Sequence, residues 1–527
     1  MRFANGRRPS EAARTAVEFL RACVRIDTRS LALFRIVVAG LVLADVFLRA
    51  RNFAHFYTDA GVVPRSLARE AAPVDVTTVY HLSSDPTAIA ALFVLNALIA
   101  LQLLVGYRTR IATILAFVFV VSLDLRNPLV LSYADVLFAW LLLWAIFLPL
   151  GERWSIDAVH ADRPPRPSVV SIGSALILLQ MITMYVVNGY HKTSSELWRT
   201  GEAAPLVLGL DDMTFLLGDV VRTVPSLLRY GGLAWFVMLL CSWLLLLARG
   251  RVRTLLVGAF VGSHLSFAVT VRIGAFAYVA IAGLLLFLRA PFWDDLRALA
   301  RRLEIESVVE TTVRPTLIAV ASSVPRSDPG LETPGWFPEN PSRSARSVVV
   351  VAFVAIALVS TLSAGGLVGD DVRGVEEVES ATAAFVDHQT EWSIFAPHPR
   401  TTDRYHVFAA KTEGGELVDV YNDRELTYER PSDQLQTQYE TYRERFYMTN
   451  VAASEPPDAP VLLAEHHCRT WRSDDGDRIT HVELYQIRED VTLETIDAPD
   501  ERERESVLIH RHGCGDREPT EVDSPPF

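Results

Sequence analysis

The chain has 527 residues, 50% of them hydrophobic and 21% charged, with a mean hydropathy of +0.23. That length would make three or four soluble domains, but the apolar residues pool in uninterrupted blocks between about residue 30 and residue 365, a distribution that excludes collagen-like, disordered and disulfide-scaffold proteins. The net charge of −12 hides a division: residues 366–527 carry 36 Asp/Glu against 16 Lys/Arg, and residues 1–365 carry 26 against 34, so an acidic tail of −20 follows a basic, apolar body of +8.

Glu11–Ile26 has apolar residues at helical spacing with Arg14, Arg21 and Arg25 between them, the pattern of an amphipathic helix lying on a membrane surface. A helix needs roughly 20 mostly apolar residues to cross a bilayer. Nine stretches qualify or nearly do: Leu31–Leu48, Ala88–Gly106, Ile111–Leu125, Leu129–Leu150, Val169–Val187, Leu233–Leu247, Leu255–Val271, Ala275–Leu288 and Val348–Ser363. No short apolar core with a small-residue cleavage site precedes them, so no removable signal peptide is expected.

Short cytoplasmic loops accumulate Lys and Arg. With the N-terminus inside, the Arg108/Arg110 turn, Glu152–Pro167, the Arg249/Arg251/Arg253 turn and Arg289–Arg346 are cytoplasmic, whereas the opposite loops hold Arg126 and Arg272 singly. Nine crossings then put the tail outside the cell. The expected organisation is a cytoplasmic amphipathic segment over 1–29, a transmembrane domain over 30–295, a cytoplasmic Arg-rich linker over 296–346 with Pro/Ser-rich Ser322–Ser344, a last transmembrane helix over 347–364 and an extracellular α+β domain over 365–527. The fold class is therefore a mainly α, multi-pass cell-membrane protein with an outer α+β domain.

In the tail, Tyr405–Ala410 and Glu416–Asn422 flank Gly414-Gly415 as a hairpin, Gln434–Val451 and Val461–Trp471 are expected as helices, and His481–Arg488 and Ser506–His512 as strands. The aromatic residues of Glu391–Arg400 are expected to anchor at the headgroup level.

Of 50 basic residues only Lys192 and Lys411 are lysine. A body that uses arginine everywhere else keeps one lysine, in Tyr185-Val-Val-Asn-Gly-Tyr-His-Lys192 with Trp198 following, at the outer end of the fifth apolar stretch. An amine differs from a guanidinium in giving up its proton when desolvated, which suits a base or nucleophile; the competing reading is a lysine snorkelling to the interface. His264 lies inside the seventh stretch, with Arg272 beyond it, and reads either as a site residue or as a neutral buried histidine bonded to a carbonyl. Asp135 starts the fourth stretch and reads either as catalytic or as the ion-pair partner of an arginine such as Arg35.

Leu31-Ala-Leu-Phe-Arg35, Gly40–Asp45, Gly106-Tyr-Arg108, Asn188-Gly-Tyr-His-Lys192 and His264 with Ile273–Phe276 together resemble the vitamin K-dependent γ-glutamyl carboxylase family. Phe56–Pro64, Arg126-Asn-Pro, Phe147–Gly151 and Ser155-Ile-Asp157 resemble more closely its microbial branch, the horizontally transferred transmembrane (HTTM) domain proteins, over roughly residues 25–295. The arginine usage and acidic tail resemble proteins of salt-loving archaea. The resemblance implies a base-initiated reaction of a vitamin K or menaquinol-type quinol, with Lys192 as base, His264 in the same site, and Asn188, Gly189, Tyr190, His191, Trp198, Asp135 and Arg272 lining it. It departs where Leu131–Asp135 stands in place of an Asn-His-Ser-Tyr type segment and Phe267 in place of an asparagine, so the acceptor of the reaction is left open. A non-catalytic membrane scaffold whose outer domain binds a partner or envelope component is the alternative; a transporter ranks third, with no inverted repeat visible.

Cys23 and Cys241 fall in the body, Cys468 and Cys514 in the tail, where a disulfide can persist. His466-His-Cys468 and His510-Arg-His-Gly-Cys514 also gather metal ligands, but they lack the CxxC pairing of common zinc sites, which favours the disulfide and no metal. No phosphate-binding glycine loop or serine elbow is present, and a tail of −20 argues against nucleic acid as a partner; the bilayer is the expected one.

Overall fold

A computed structural model of the chain describes residues 11–72, 76–326 and 392–527. The expected ninth span Val348–Ser363 and most of the Ser322–Ser344 linker lie outside the described residues.

Among the described residues four helices are long and apolar enough to cross a membrane, Thr28–Ala50, Pro86–Val105, Ile172–Lys192 and Gly250–Thr270, and a fifth results if Phe276–Leu285 and Ala290–Arg302, bent by 98°, count as one. Thr109–Arg126 has the length but carries Arg110, Asp124 and Arg126. Tyr133–Ala145 and Pro225–Leu240 are apolar but short. The first of these is short for a local reason. The expected Leu129–Leu150 block opens as a 3-10 turn, Pro128–Val130, and its helix starts only where Ser132 and Asp135 form a reciprocal cap, with the Ser132 N–H donating to Asp135 Oδ2 at 2.8 Å.

Caps also set the long helices. The Asp27 side chain accepts from the Arg29 N–H at the start of Thr28–Ala50, and Asp85 does the same for Ala88 at the start of Pro86–Val105. Pro86–Val105 ends on Gly106 at φ +69°, where a Cβ would also run into the Arg35 guanidinium. Where lipid tails are as apolar as leucine, helices hold by close packing rather than by the hydrophobic effect. Gly283 supplies such a contact, since a Cβ there would stand 2.3 Å from the Met181 sulfur. The outward faces stay apolar, with Phe47, Leu48, Leu98, Val105, Leu255 and Leu265 exposed.

At one end of the bundle, strand β1 (Ile26–Asp27) pairs with β2 (Ser168–Val169), the Arg108 N–H donates to Asp157, and His160 Nε2 contacts the Ala321 carbonyl at 3.0 Å. The amphipathic segment is a helix over Glu11–Cys23. The segment expected as an Arg-rich linker is helical over Ala290–Arg302, Ile305–Val308 and Arg314–Ser323.

At the opposite end sits the tail, a five-stranded antiparallel sheet ordered β5-β4-β3-β6-β7 from β3 (Thr402–Thr412), β4 (Leu417–Asp419), β5 (Arg424–Glu425), β6 (Ile479–Asp490) and β7 (Arg504–Gly513). One face, with Phe408, Ala410 and Leu484, packs under the helices Tyr442–Ala453 and Asp458–Thr470. The other buries Tyr405, Val407, Tyr485 and Ile487. The helix expected over Gln434–Val451 is instead a 3-10 turn, Leu435–Gln438, and then Tyr442–Ala453: Thr441 caps the second by accepting from the Glu444 N–H, while the Gln438 amide is spent on the His406 carbonyl. Cys468 and Cys514 are joined in a disulfide with Cα atoms 5.6 Å apart.

Two buried ion clusters bind tail to body. In the first, Asp135 pairs with Arg49 at 3.0 Å and with Arg443 of the tail at 2.8 Å, and Asp45 accepts from both arginines. The expected partner Arg35 is elsewhere: its guanidinium donates to the carbonyls of Leu150, Arg153 and Trp154, because Arg35 lies near the β1 end of its helix and Asp135 begins its own at the tail end. In the second, Arg502 donates to Asp211 of the body at 2.9 Å and to Asp403 at 3.0 Å, Arg430 donates to Asp211 at 2.7 Å, and Asp212 meets Arg400 and Arg445. Asp403 also accepts from the Asp211 and Asp212 backbone N–H groups.

Candidate functional site

Tyr185, Asn188 and Lys192 are spaced i, i+3, i+7 on the Ile172–Lys192 helix, so they share one face. That face forms a wall of a cavity of 440 Å³, closed on the other sides by Pro225–Leu240, Gly250–Thr270, Phe276 and residues 392–395. Its lining is almost wholly apolar or aromatic. Among the described residues around it Lys192 and His264 are the nitrogen bases, and no Asp, Glu or Arg is present. At the rim Leu227, Gly231 and Ser266 are exposed, so the cavity opens sideways between Pro225–Leu240 and Gly250–Thr270.

At the tail end of the cavity Lys192 is 1% exposed. Its Nζ donates to the carbonyls of Ile394 at 2.6 Å and Phe395 at 3.2 Å and stands 4.2 Å from the centre of the Trp198 ring, a cation–π contact. Asn188 Nδ2 donates to the Trp392 and Ile394 carbonyls, and Trp198 Nε1 to that of Phe395. A strap of chain over 392–395 thus lies across the lysine and takes up its donors. The expectation of headgroup anchoring is corrected for Trp392, which is buried against Tyr133, with the Tyr133 hydroxyl 2.7 Å from Ser393 Oγ.

Two helical turns deeper, roughly 10 Å along the axis, His264 is fully buried with Nε2 2.8 Å from the Tyr185 hydroxyl. Nδ1 has no partner. Trp235, Phe267 and Phe276 surround the ring with centroids 5.4 to 6.0 Å away. An amine at one end and a half-satisfied imidazole at the other, with aromatic faces between, can grip a flat apolar molecule and handle a proton at its polar edge.

The structure therefore brings Lys192, His264, Asn188 and Trp198 to one cavity. Gly189, Tyr190, His191, Asp135 and Arg272 do not line it. Gly189 faces Leu239 on the neighbouring helix, Asp135 belongs to the first ion cluster, and Arg272 holds the tail through the carbonyls of Gln436 and Tyr439. Sequence reasoning missed Tyr185, Trp235 and the strap carbonyls. Tyr185 had a signal in its helical spacing from Lys192; main-chain carbonyls some 200 residues away had none.

Helices long and apolar enough to cross a bilayer, packed around an apolar cavity, mark a membrane protein. The HTTM domain family model matches residues 24–293, more than half of the chain, and the protein belongs to that family. No curated protein and no solved structure matches it.

Proposed function

We propose that the cavity binds a lipid-soluble molecule with an acidic hydroxyl, of the vitamin K or menaquinol-type quinol class, and that Lys192 takes the hydroxyl proton while Tyr185 and His264 orient the far edge. The observation that carries this reading is an apolar, sideways-open cavity whose walls hold an amine and an imidazole and no carboxylate among the described residues. Among the described residues no carboxylate of the wall competes for the amine, so a hydroxyl entering the cavity can take the place of the strap carbonyls beside it, and an amine so released can serve as a base. The aromatic faces of Trp198, Trp235 and Trp392 suit a flat ring. A quinol would supply the reducing equivalents, as in the carboxylase family that the sequence resembles; the acceptor is open. For Lys192 to act, the strap carbonyls must release its amine.

In this reading the protein is a multi-pass protein of the cell membrane with nine crossings, a cytoplasmic N-terminus and an extracellular tail. The loops that the charge rule assigns to the cytoplasm, around Arg108, Arg153, Arg251 and Arg289, gather at the end of the bundle that carries β1 and β2, and the loops assigned to the outside gather under the tail. The domains then follow as amphipathic segment 1–29, membrane domain 30–295, inner segment 296–346, last span 347–364 and outer domain 365–527.

One observation favours the second reading, a non-catalytic scaffold: the hydrogen bonds of Lys192 to the strap suit an anchor as well as a reserve. Quinol turnover in membranes carrying equal amounts of wild type and Lys192→Arg separates the two. Loss of turnover in the variant supports the base; turnover unchanged sinks it, and a phenotype that follows deletion of 370–527 and not Lys192→Arg establishes the scaffold.

A further inference from the structure

The cavity and the ion clusters account for the tail-facing half of the body. The opposite end holds a group that neither uses. Arg253, in the first turn of the Gly250–Thr270 helix, is 1% exposed, and none of its three guanidinium nitrogens has a hydrogen-bond partner among the described residues. Its guanidinium lies 5.3 Å from the centre of the Phe287 ring. The titratable groups that act on it are Arg289 and the Cys23 thiol, with no carboxylate among the described residues. Half-buried Arg289 donates to the Cys23 carbonyl at 2.9 Å, keeps Nε unpaired, and has exposed Arg25 and Arg249 as its further cationic neighbours. Arg249 is also the residue before the helix, whose first N–H groups receive no side-chain cap.

Other large buried arginines each have an oxygen partner: Arg49 and Arg502 have carboxylates, Arg35 has three carbonyls, and Arg126 has the Val63 carbonyl with the Asp59 carboxylate 3.7 Å away. A guanidinium sealed away with nothing is costly unless an anion arrives from outside the chain. The rim around it is apolar. Val252 and Leu255 of the same helix are exposed, as are Phe19 and Leu20 of the amphipathic helix, and Arg249 stands 5.3 Å from the centre of the Phe19 ring. An anion entering here comes attached to an apolar molecule.

We propose that Arg249, Arg253, Arg289 and the N-terminus of the Gly250–Thr270 helix form a binding site for the phosphate group of an anionic membrane lipid. The phosphate oxygens accept at the rim from Arg249, from Arg289 and from the free N–H groups of the first turn, where the helix dipole is positive. Arg253 stands behind them and supplies the uncompensated charge. The acyl chains run along Val252 and Leu255, and Phe19 and Leu20 close over the headgroup from the membrane surface. The site is independent of the cavity and of the quinol reading.

The test uses the full chain purified in detergent, with its thermal unfolding midpoint titrated against phosphatidylglycerol, phosphatidylcholine and inorganic phosphate. Phosphatidylglycerol should raise the midpoint saturably and the other two should not. One arginine beside an anionic lipid is worth about 1 kcal/mol, about fivefold in affinity, so Arg249→Gln, an exposed change, should weaken the lipid titration about fivefold; Arg253→Gln should weaken it at least as much. Equal responses to the two lipids, or an Arg249→Gln titration identical to wild type, would overturn the site. A response to inorganic phosphate equal to that for phosphatidylglycerol would overturn the lipid as its occupant. If Arg253→Gln does not fold, the wild-type and Arg249→Gln titrations decide alone.

Discussion

Buried cations in this molecule come in two kinds. Along the junction of body and tail Arg49, Arg443, Arg430 and Arg502 each meet carboxylates, several of them contributed across the junction. In the cavity Lys192 meets, among the described residues, carbonyl oxygens and an indole face. Removing a buried ion from water costs several kcal/mol, and at the junction the chain supplies the counter-charge itself. At Lys192 it supplies only the carbonyls of a strap that lies across the cavity, and the amine is left to a molecule from outside. The difference separates the parts of this protein that hold it together from the part that can work.

The comparison can be broken first at the junction. Arg502→Met leaves Asp211 and Asp403 short of a partner in a buried cluster, and should cost about 3–5 kcal/mol, read as a fall in the thermal unfolding midpoint and as earlier proteolysis of the tail. The disulfide closes a loop with a separation of 46 residues, for which chain entropy gives about 4 kcal/mol. Cys468→Ser with Cys514→Ser should therefore lower the midpoint comparably, and a reducing agent should do so in wild type alone.

A pH prediction sharpens the picture of the junction. His55 of the body touches His466 of the tail with ring centroids 5.1 Å apart. Burial, then its histidine neighbours, pushes His467 down to about 3, and burial, then His466, pushes His55 down to about 4. Both are held neutral when folded and take up protons more readily when unfolded, so stability is full above the unfolded value of about 6.5 and declines as pH falls towards the folded values. Between pH 7.5 and pH 5 the loss should be on the order of 2 kcal/mol per histidine, and His467→Phe should flatten the profile of midpoint against pH.

The smallest stability effect belongs to the cavity. Lys192→Met gives up hydrogen bonds to two carbonyls but also the desolvation of a buried amine, so its cost should be about 1 kcal/mol, well below that of Arg502→Met. If the two variants unfold alike, Lys192 is an anchor and the contrast between the two kinds of cation fails.

Much of the body was legible in the sequence, because apolar blocks and their Asp or Ser caps are local signals. Lys192 stands out because a body that uses arginine everywhere else keeps one lysine there, and the family-like segment Asn188-Gly-Tyr-His-Lys192 carries Asn188 with it. The limits are equally physical. For Asp135 the sequence leaves a catalytic role and a pair with a span arginine such as Arg35 both open, because ion pairs are decided by which helix ends meet; its partners Arg49 and Arg443 lie 86 and 308 positions away. The Leu129–Leu150 block counted as a span by composition, and the Ser132 cap shortened it. The aromatic strap carried a headgroup signature and turned inward, because Lys192, Asn188 and Trp198 offer its carbonyls the donors that an apolar cavity otherwise lacks.

The central claim, that the cavity takes a lipid-soluble ring against Lys192, is tested most directly by titrating the purified protein with a menaquinone-type quinone and following tryptophan fluorescence from Trp198, Trp235 and Trp392. Gly231→Leu is the control, since Gly231 lines the rim of the cavity and a Cβ there meets nothing within 4 Å, so a longer side chain fits without clash and obstructs the cavity from its rim. The account predicts saturable quenching at one quinone per chain in wild type and its loss in Gly231→Leu. Quenching that is absent in wild type, or unchanged by obstructing the cavity, would contradict it.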